Sequence, residues 1–327
     1  MTIPQMTNRV RGEYRARLYD FRGKLKHDSG WRPNMVLDQG PWFMIGGISN
    51  ALNVMCLGDS DTAAVSTQTG LQGTRLGGVG GVYLGGTGGA NWSTPPYYYY
   101  VQQPYVFGLG VGTGTIKEFV MCPGNNDSNA TTYASIRVVL DTPIVKISTD
   151  QLTMEWRLYM YPETAVQSGV LDCSGVSYDW ELGWYNIDEL MYGQNSPPGL
   201  ISSFTGPPRS NFGSPGNGLF LNGVMPADIF SMPTGDAVSP SGAWRDASSA
   251  VTNGSPPYNT ITLSAGVDYM NTTFDMTYLY HNHYPYTIKS TGRVIKILRT
   301  SDGNPFVKAN THEITLRYRL FLDKYVP

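Results

Sequence analysis

The chain is poor in charge, in cysteine, in helical patterning and in long apolar runs, and each shortage removes a class of protein. Charged residues fill 15% of its 327 positions, with 23 basic against 25 acidic side chains and a formal net charge of −2. No basic block stands anywhere in the sequence, so no direct nucleic-acid contact is expected. Cysteine occurs at Cys56, Cys122 and Cys173 only. Three is an odd number and no C-x-x-C spacing is present, which fits a chain made in a reducing cytoplasm. No apolar run reaches the ~18 residues of a membrane-spanning helix, and the opening "MTIPQMTNRVRGEYRARLYDFRGK" is polar throughout. Neither a membrane-spanning segment nor a secretory signal is expected. Helical patterning is confined to "YNIDELMYG" (Tyr185–Gly193) and "PADIFSM" (Pro226–Met232), each about two turns long.

What the sequence does contain is the material of strands and turns. There are 22 Tyr, 38 Gly and 22 Pro, together with runs rich in Thr, a balance that favours short strands separated by tight turns. The expected class is all-β, in antiparallel sandwich-like units. Two stretches read as long loops: the glycine-rich segment from Gly70 to Pro96 and the Gly/Pro-rich segment 195–257. Such segments bury little apolar surface alone, and loops of this length are commonly disordered or bind a partner.

One strand is written twice. "PIVKISTDQLTMEWRLYMY" (Pro143–Tyr161) and "PFVKANTHEITLRYRLFLD" (Pro305–Asp323) stand 162 residues apart. Over the eighteen positions from Pro143 to Met160, seven are identical at that offset without a gap: Pro143/Pro305, Val145/Val307, Lys146/Lys308, Thr149/Thr311, Thr153/Thr315, Arg157/Arg319 and Leu158/Leu320. Leu152, Met154, Trp156, Leu158 and Met160 alternate with polar positions, and Ile314, Leu316, Tyr318, Leu320 and Leu322 repeat the phase. A period of two puts one side of each strand in a core. The shared Pro-x-Val-Lys lead-in is not a property of amphipathic strands in general, so an internal duplication is expected. The layout is then two tandem domains, 1–163 and 164–327, the second carrying the 195–257 insertion.

Candidates for chemistry are few. His281 and His283 in "HNH" sit on one side of a strand, a spacing that can ligate a metal. No third ligand of matching type stands beside them, so structural or surface histidines are the preferred reading and a metal site the weak one. "GLGVGTGT" (Gly108–Thr115) resembles a phosphate-cradling loop in letters, but "IKEFVMCP" after it reads as a strand, whereas a phosphate site needs a helix there. A turn or bulge is expected instead. Asp59 and Asp61 lie in a short acidic loop without calcium-loop spacing. No G-x-S-x-G elbow or paired nucleophile is present. No cofactor, no metal and no enzymatic activity are expected. The tyrosine run Tyr97, Tyr98, Tyr99 and Tyr100, with Tyr83, Leu84 and Trp92 just before it, suits a contact between subunits or stacking on sugars; subunit contact is the preferred reading.

Read in order, "YDFRGKLKHDSGWRPNMVLDQG", "CLGDSDTAAVSTQTGLQG", "PPYYYYVQQPYVFGLGVGTGTIKEFVMCPGNN" and "IRVVLDTPIVKISTDQLTMEWRLYMYP" resemble successive blocks of a bacteriophage virion protein family, the tail or minor structural proteins. The matching residues are Trp31, Asn34, Asp38 and Gly40; Gly58, Asp59, Ala63 and Leu71; Gly108, Gly112 and Glu118; and Pro143, Ile144, Asp150, Leu152, Leu158 and Tyr161. The likeness covers about half the chain. It departs from the family pattern at Ser135–Arg137, where Ile136 separates a pair the family often keeps adjacent, and at Trp156, which replaces a Tyr. The resemblance implies a virion tail component, made in the host cytoplasm. Its partners would be other copies of itself in a ring and other tail proteins, since tails have ring symmetry. The alternative is a host-receptor or glycan-binding tail tip protein, with or without hydrolase activity.

Overall fold

The computed structural model describes residues 3–45, 52–80, 87–91, 93–123, 130–173, 175–186, 217–227, 234–238, 246–252, 254–268, 271–281 and 291–326. The first half contains β1 (Gln5–Tyr19), β2 (Leu25–Asp28), β3 (Arg32–Pro33), β4 (Met35–Val36), a short helix α1 (Gly40–Ile45), β5 (Val54–Gly58), β6 (Arg75–Gly80), β7 (Thr87–Asn91), β8 (Tyr98–Phe107), β9 (Gly114–Cys122), β10 (Ile136–Lys146) and β11 (Gln151–Tyr161). The second contains β12 (Gln167–Cys173), β13 (Val176–Asn186), β14 (Asn217–Val224), β15 (Thr234–Val238), β16 (Asp246–Thr252), β17 (Tyr258–Ala265), β18 (Thr273–Phe274), β19 (Met276–His281), β20 (Thr291–Arg299), β21 (Phe306–Val307) and β22 (Ile314–Lys324). The fold is all-β, as the composition requires.

The strands follow the burial pattern that their sequences dictate. Along β1 every second residue from Met6 to Leu18 is buried, and β11 keeps Leu152, Met154, Trp156 and Leu158 inside. β5 is buried at all five positions, as its unbroken "VMCLG" demands of a strand covered on both faces. One face of β5 and β9 joins the main core of the first half, with Trp156, Phe119 and Tyr105. The other lies under a cap containing Leu37, Leu71, Ala130 and Ala134. A second large core holds Trp180, Ile261, Ile295, Ile297 and Tyr318.

The two halves repeat an order of strands. β7-β8-β11 run side by side as β16-β17-β22 do, and β10-β9-β5-β6 as β20-β19-β14-β15 do. The repeated lysine makes the same bond twice: Lys146 Nζ donates to the Gly108 carbonyl at 2.9 Å and Lys308 Nζ to the Gly266 carbonyl at 2.8 Å. Both lysines are buried, and burial pulls the Lys146 ammonium below the ordinary lysine range. The turn that follows also recurs, with Asp150 N–H on the Ile147 carbonyl and His312 N–H on the Ala309 carbonyl. If these contacts are equivalent, Lys146→Met and Lys308→Met should each cost about 1–3 kcal/mol through an unsatisfied buried carbonyl. Urea unfolding of the two variants checks this; a loss confined to one of them would show that the contacts differ in kind.

Where the structure departs from the sequence reading is in β1. The two-domain layout puts the repeated strands in separate sheets, yet β11 and β22 belong to one nine-stranded sheet of order β16-β17-β22-β1-β11-β8-β7, with β2 and β3 added to β1. β1 runs antiparallel to β11 from Arg9↔Tyr161 to Tyr19↔Gln151 and parallel to β22 from Gln5↔Arg319 to Val10↔Lys324. β1 has fifteen residues and uses both edges: one takes β11 along Arg9–Tyr19, the other takes β22 along Gln5–Val10.

The long loops are corrected too. Within the glycine-rich stretch, β6 pairs with β5 and β7 with β8. Glycine here permits close approach: a Cβ on Gly77 would stand 2.8 Å from the Gly112 nitrogen, and one on Gly89 would meet the Tyr100 ring at 2.8 Å. Within 195–257, β14, β15 and β16 are strands paired to the two larger sheets. Of the two anticipated helices, Tyr185–Asn186 closes β13 instead; the remainder of that segment, and most of Pro226–Met232, lies outside the described residues. The helix among the described residues, α1, begins at Gly40, where a Cβ would stand 2.4 Å from the Ser135 carbonyl oxygen.

Candidate interaction surfaces

The face of the nine-stranded sheet turned away from the large cores carries the polar residues of its strands, most of them partly exposed, with Tyr159 and Tyr161 buried beneath their neighbours. From β1 it takes Arg9, Arg11, Glu13, Arg15 and Arg17, from β11 Glu155, Arg157, Tyr159 and Tyr161, and from β8 Tyr98 and Tyr100. Strand register sets Arg11 opposite Tyr159, Glu13 opposite Arg157 and Arg15 opposite Glu155. It also sets Tyr159 opposite Tyr100 and Arg157 opposite Gln102.

These side chains hold one another. The Arg157 guanidinium lies 3.7 Å from the centre of the Trp31 ring and 4.9 Å from that of Tyr100, while its Nε donates to Gln102 Oε1 at 2.8 Å. Tyr159 donates to Glu13 at 2.7 Å, and Glu13 also receives Arg11 at 2.6 Å. Tyr161 stacks on Tyr325 at 3.8 Å between ring centres. Tyr98 meets Tyr159 edge-on at 5.2 Å. Arg17 pairs with Glu155 at 2.8 Å, and Arg15 grips Asp28 through two bonds of 2.9 and 2.6 Å. That hydrogen-bonded pairing holds the Asp28 carboxyl down at about 2. Burial, reinforced by the bond to Glu13, pushes the Tyr159 phenol well above the ordinary tyrosine range.

The result is a surface of arginine and tyrosine whose side chains are held by one another before any partner arrives. Side chains already immobilised lose little entropy on association, and Arg and Tyr are the residues enriched at the energetic centres of protein interfaces.

The residues singled out in the sequence fall in several places. Tyr97 packs against the second core, Tyr98 and Tyr100 belong to the arginine–tyrosine face, and the side chain of Tyr99 lies outside the described residues, as do Tyr83, Leu84 and Trp92. His281 ends β19; its side chain and all of His283 are outside the described residues. Among the described residues no group of three His, Cys, Asp or Glu side chains could hold a metal ion. Asp59 and Asp61 do not converge: Asp59 accepts from the Thr74 N–H and Asp61 pairs with Lys117 at 2.9 Å. "GLGVGTGT" is the turn between β8 and β9, with positive φ at Gly110, Gly112 and Gly114. Among the described residues no helix is long and apolar enough to cross a membrane.

Two polar constellations escaped the sequence reading. Glu118 and Arg137 are fully buried and paired at 2.8 Å. The carboxylate also accepts the N–H groups of Gln72 and Gly73, and the guanidinium donates to Gln68 Oε1 and the Thr62 carbonyl at 2.8 Å each. Together they tie the loop between β5 and β6 onto β9 and β10. The available signal was a charged residue inside each of the apolar runs "IKEFVMC" and "SIRVVL". Asn34 is the second: its amide bridges the Gly12 carbonyl at 3.2 Å and the Trp156 indole N–H at 2.7 Å. A Cβ on Gly12 would stand 2.2 Å from the Asn34 side chain, so the approach requires glycine.

Comparison with protein-family models, with curated proteins and with solved structures finds no match.

Proposed function

We propose that the protein is a non-enzymatic structural subunit of a bacteriophage tail, working through contacts with copies of itself and with neighbouring tail proteins, on a scaffold made by duplication of one sandwich unit. The observation that carries this reading is the arginine–tyrosine face. Its side chains are already held by one another, which suits a lasting contact between large partners. The family-like blocks add support, because their residues hold the architecture. Trp31 stacks on Arg157, Asn34 joins β1 to Trp156, Asp38 pairs with Lys324, and Glu118 anchors the loop that begins at Asp59.

Electron microscopy of the parent particle, with this chain's density located, tests the assignment. Density in a ring or adaptor at the tail is the expected result, whereas density at the distal tip in contact with a receptor or glycan would replace it. A variant gives a second check. Arg9 is exposed on the proposed contact face, so Arg9→Glu should leave stability within about 0.5 kcal/mol while reducing incorporation into particles. Normal incorporation would remove this face from the assembly.

A further inference from the structure

Three neighbouring turns close one end of the first half: 20–24 between β1 and β2, 108–113 between β8 and β9, and 147–150 between β10 and β11. Polar bonds fasten them to one another. Gly110 N–H bonds the Ser148 carbonyl at 2.8 Å, Lys146 Nζ the Gly108 carbonyl at 2.9 Å, and Lys26 Nζ the Asp150 carboxylate at 2.7 Å. Yet these turns and their flanks hold apolar side chains in water. Phe21 and Leu109 are 67% and 64% exposed, and Leu25, Val111, Val145 and Ile147 are exposed beside them. They make up six of the ten large apolar side chains exposed among the described residues of 1–163. Single exposed apolar residues are ordinary, but a gathering at one place marks a contact site.

The charge that these turns present to water is of one sign. Arg22, Lys24 and Lys26 are exposed, and the Arg22 guanidinium lies 5.0 Å from the centre of the Phe21 ring. The carboxylates are turned to internal use. Asp20 Oδ1 accepts the N–H groups of Arg22 and Lys24 at 2.9 Å each, and Asp150 is buried. The turn 108–113 has no charged residue. Asp59 and Asp61 follow β5 at the same end, where Asp59 accepts the Thr74 N–H and Asp61 is paired with Lys117. The repeated strand β22 runs opposite to β11 in the long sheet, so its lead-in lies at the other end. There Val307 repeats Val145, but Ala309 and Glu313 stand where the first half has Ile147 and Gln151. Apolar side chains raised on turns, with cations beside them, match the layers of a bilayer, anionic headgroups outside and hydrocarbon behind.

We propose that this end of the first half docks on the surface of an anionic bilayer: Phe21, Leu109 and Ile147 enter the boundary between headgroups and acyl chains, and Arg22, Lys24 and Lys26 meet the anionic headgroups. The contact is peripheral and needs no spanning segment. It stands on the three turns and is independent of the tail assignment.

The test mixes the full chain with vesicles of phosphatidylcholine holding about 30% phosphatidylserine, or of phosphatidylcholine alone, and separates bound protein by flotation. Binding to the anionic vesicles is expected to be at least ~10-fold tighter and to weaken as salt is raised. Phe21→Ser/Leu109→Ser should weaken it at least ~10-fold, with an unchanged unfolding midpoint because both side chains are exposed. Arg22→Glu/Lys24→Glu should bring the two vesicle types within ~2-fold of each other, and this variant decides alone if the first fails to fold. Val307→Ser, at the other end, should change nothing. Phe21→Trp should add emission quenched by brominated acyl chains that the unaltered protein lacks. Three results would overturn the proposal. The first is no vesicle binding, and particle incorporation lost in the Phe21/Leu109 variant would then assign this end to a protein partner. The second is binding that the Phe21/Leu109 variant leaves intact, which means adsorption through another surface such as the arginine–tyrosine face. The third is an equal loss on Val307→Ser, which means adhesion by any exposed apolar residue.

Discussion

Arg137→Met is expected to lower stability by about 3–5 kcal/mol, the range for stripping one partner from a buried ion pair. The loss comes from the carboxylate left behind. Glu118 is 0% exposed, with Arg137 2.8 Å away, and without the guanidinium it keeps only the N–H groups of Gln72 and Gly73 to offset its desolvation. The Thr62 carbonyl would lose its guanidinium donor, and Gln68 Oε1 would keep only the Val65 N–H, so the loop between β5 and β6 should exchange its amide hydrogens faster. The double variant Glu118→Leu/Arg137→Met removes the stranded charge and should be less damaged than Arg137→Met alone. Guanidinium unfolding of the three proteins measures this. A loss below about 1 kcal/mol for Arg137→Met would mean that water reaches the pair in solution.

Alkaline pH should unfold the protein steeply. Burial pushes the Tyr14 phenol up to about 12, and it raises Tyr105 and Tyr159 further. Tyr105 is fully buried and donates to the Leu52 carbonyl. A group whose folded pKa exceeds its unfolded value contributes stability that is fully present below the unfolded pKa, near 10 for tyrosine. That contribution is lost as pH rises towards the folded value. Each such group adds about 1.4 kcal/mol per pH unit to the slope, so three together approach ~4 kcal/mol per unit above pH 10. Lys146, with its pKa lowered by burial, works in the opposite direction, whereas Tyr161, also raised by burial, works in the same direction as the three. Unfolding free energies between pH 8 and pH 11.5, with phenolate absorbance followed in parallel, check the slope. Tyr159→Phe should remove about a third of it, and a flat profile above pH 10 would contradict the shifts.

The all-β class and the alternation of β11 and β22 were legible because they depend on a period of two within a dozen residues. Lys146 and Lys308 were legible as a pair because the same letters recur at a fixed offset, and each donates to the carbonyl of a glycine that directly follows a strand, Gly108 after β8 and Gly266 after β17. The glycine-rich stretch was misread because glycine density signals flexibility to a local reading. At Gly77 and Gly89 it serves close packing against backbone and ring, a property of the neighbours and not of the segment. Tyr100 was noticed as part of a run, but not as a partner of Arg157, which reaches it through strand register.

By itself, then, the sequence determined the strand content and the recurrence of one strand pattern, both set by composition or by spacing along the chain. The tertiary structure decided what depends on residues far apart meeting. It seated β1 between the two repeated strands, closed the Glu118–Arg137 pair and gathered arginine and tyrosine onto one face. A strand pattern states which side of a strand faces a core, but hydrogen bonding at its edges is satisfied by whichever chain lies alongside, and that partner is chosen only when the sheets assemble.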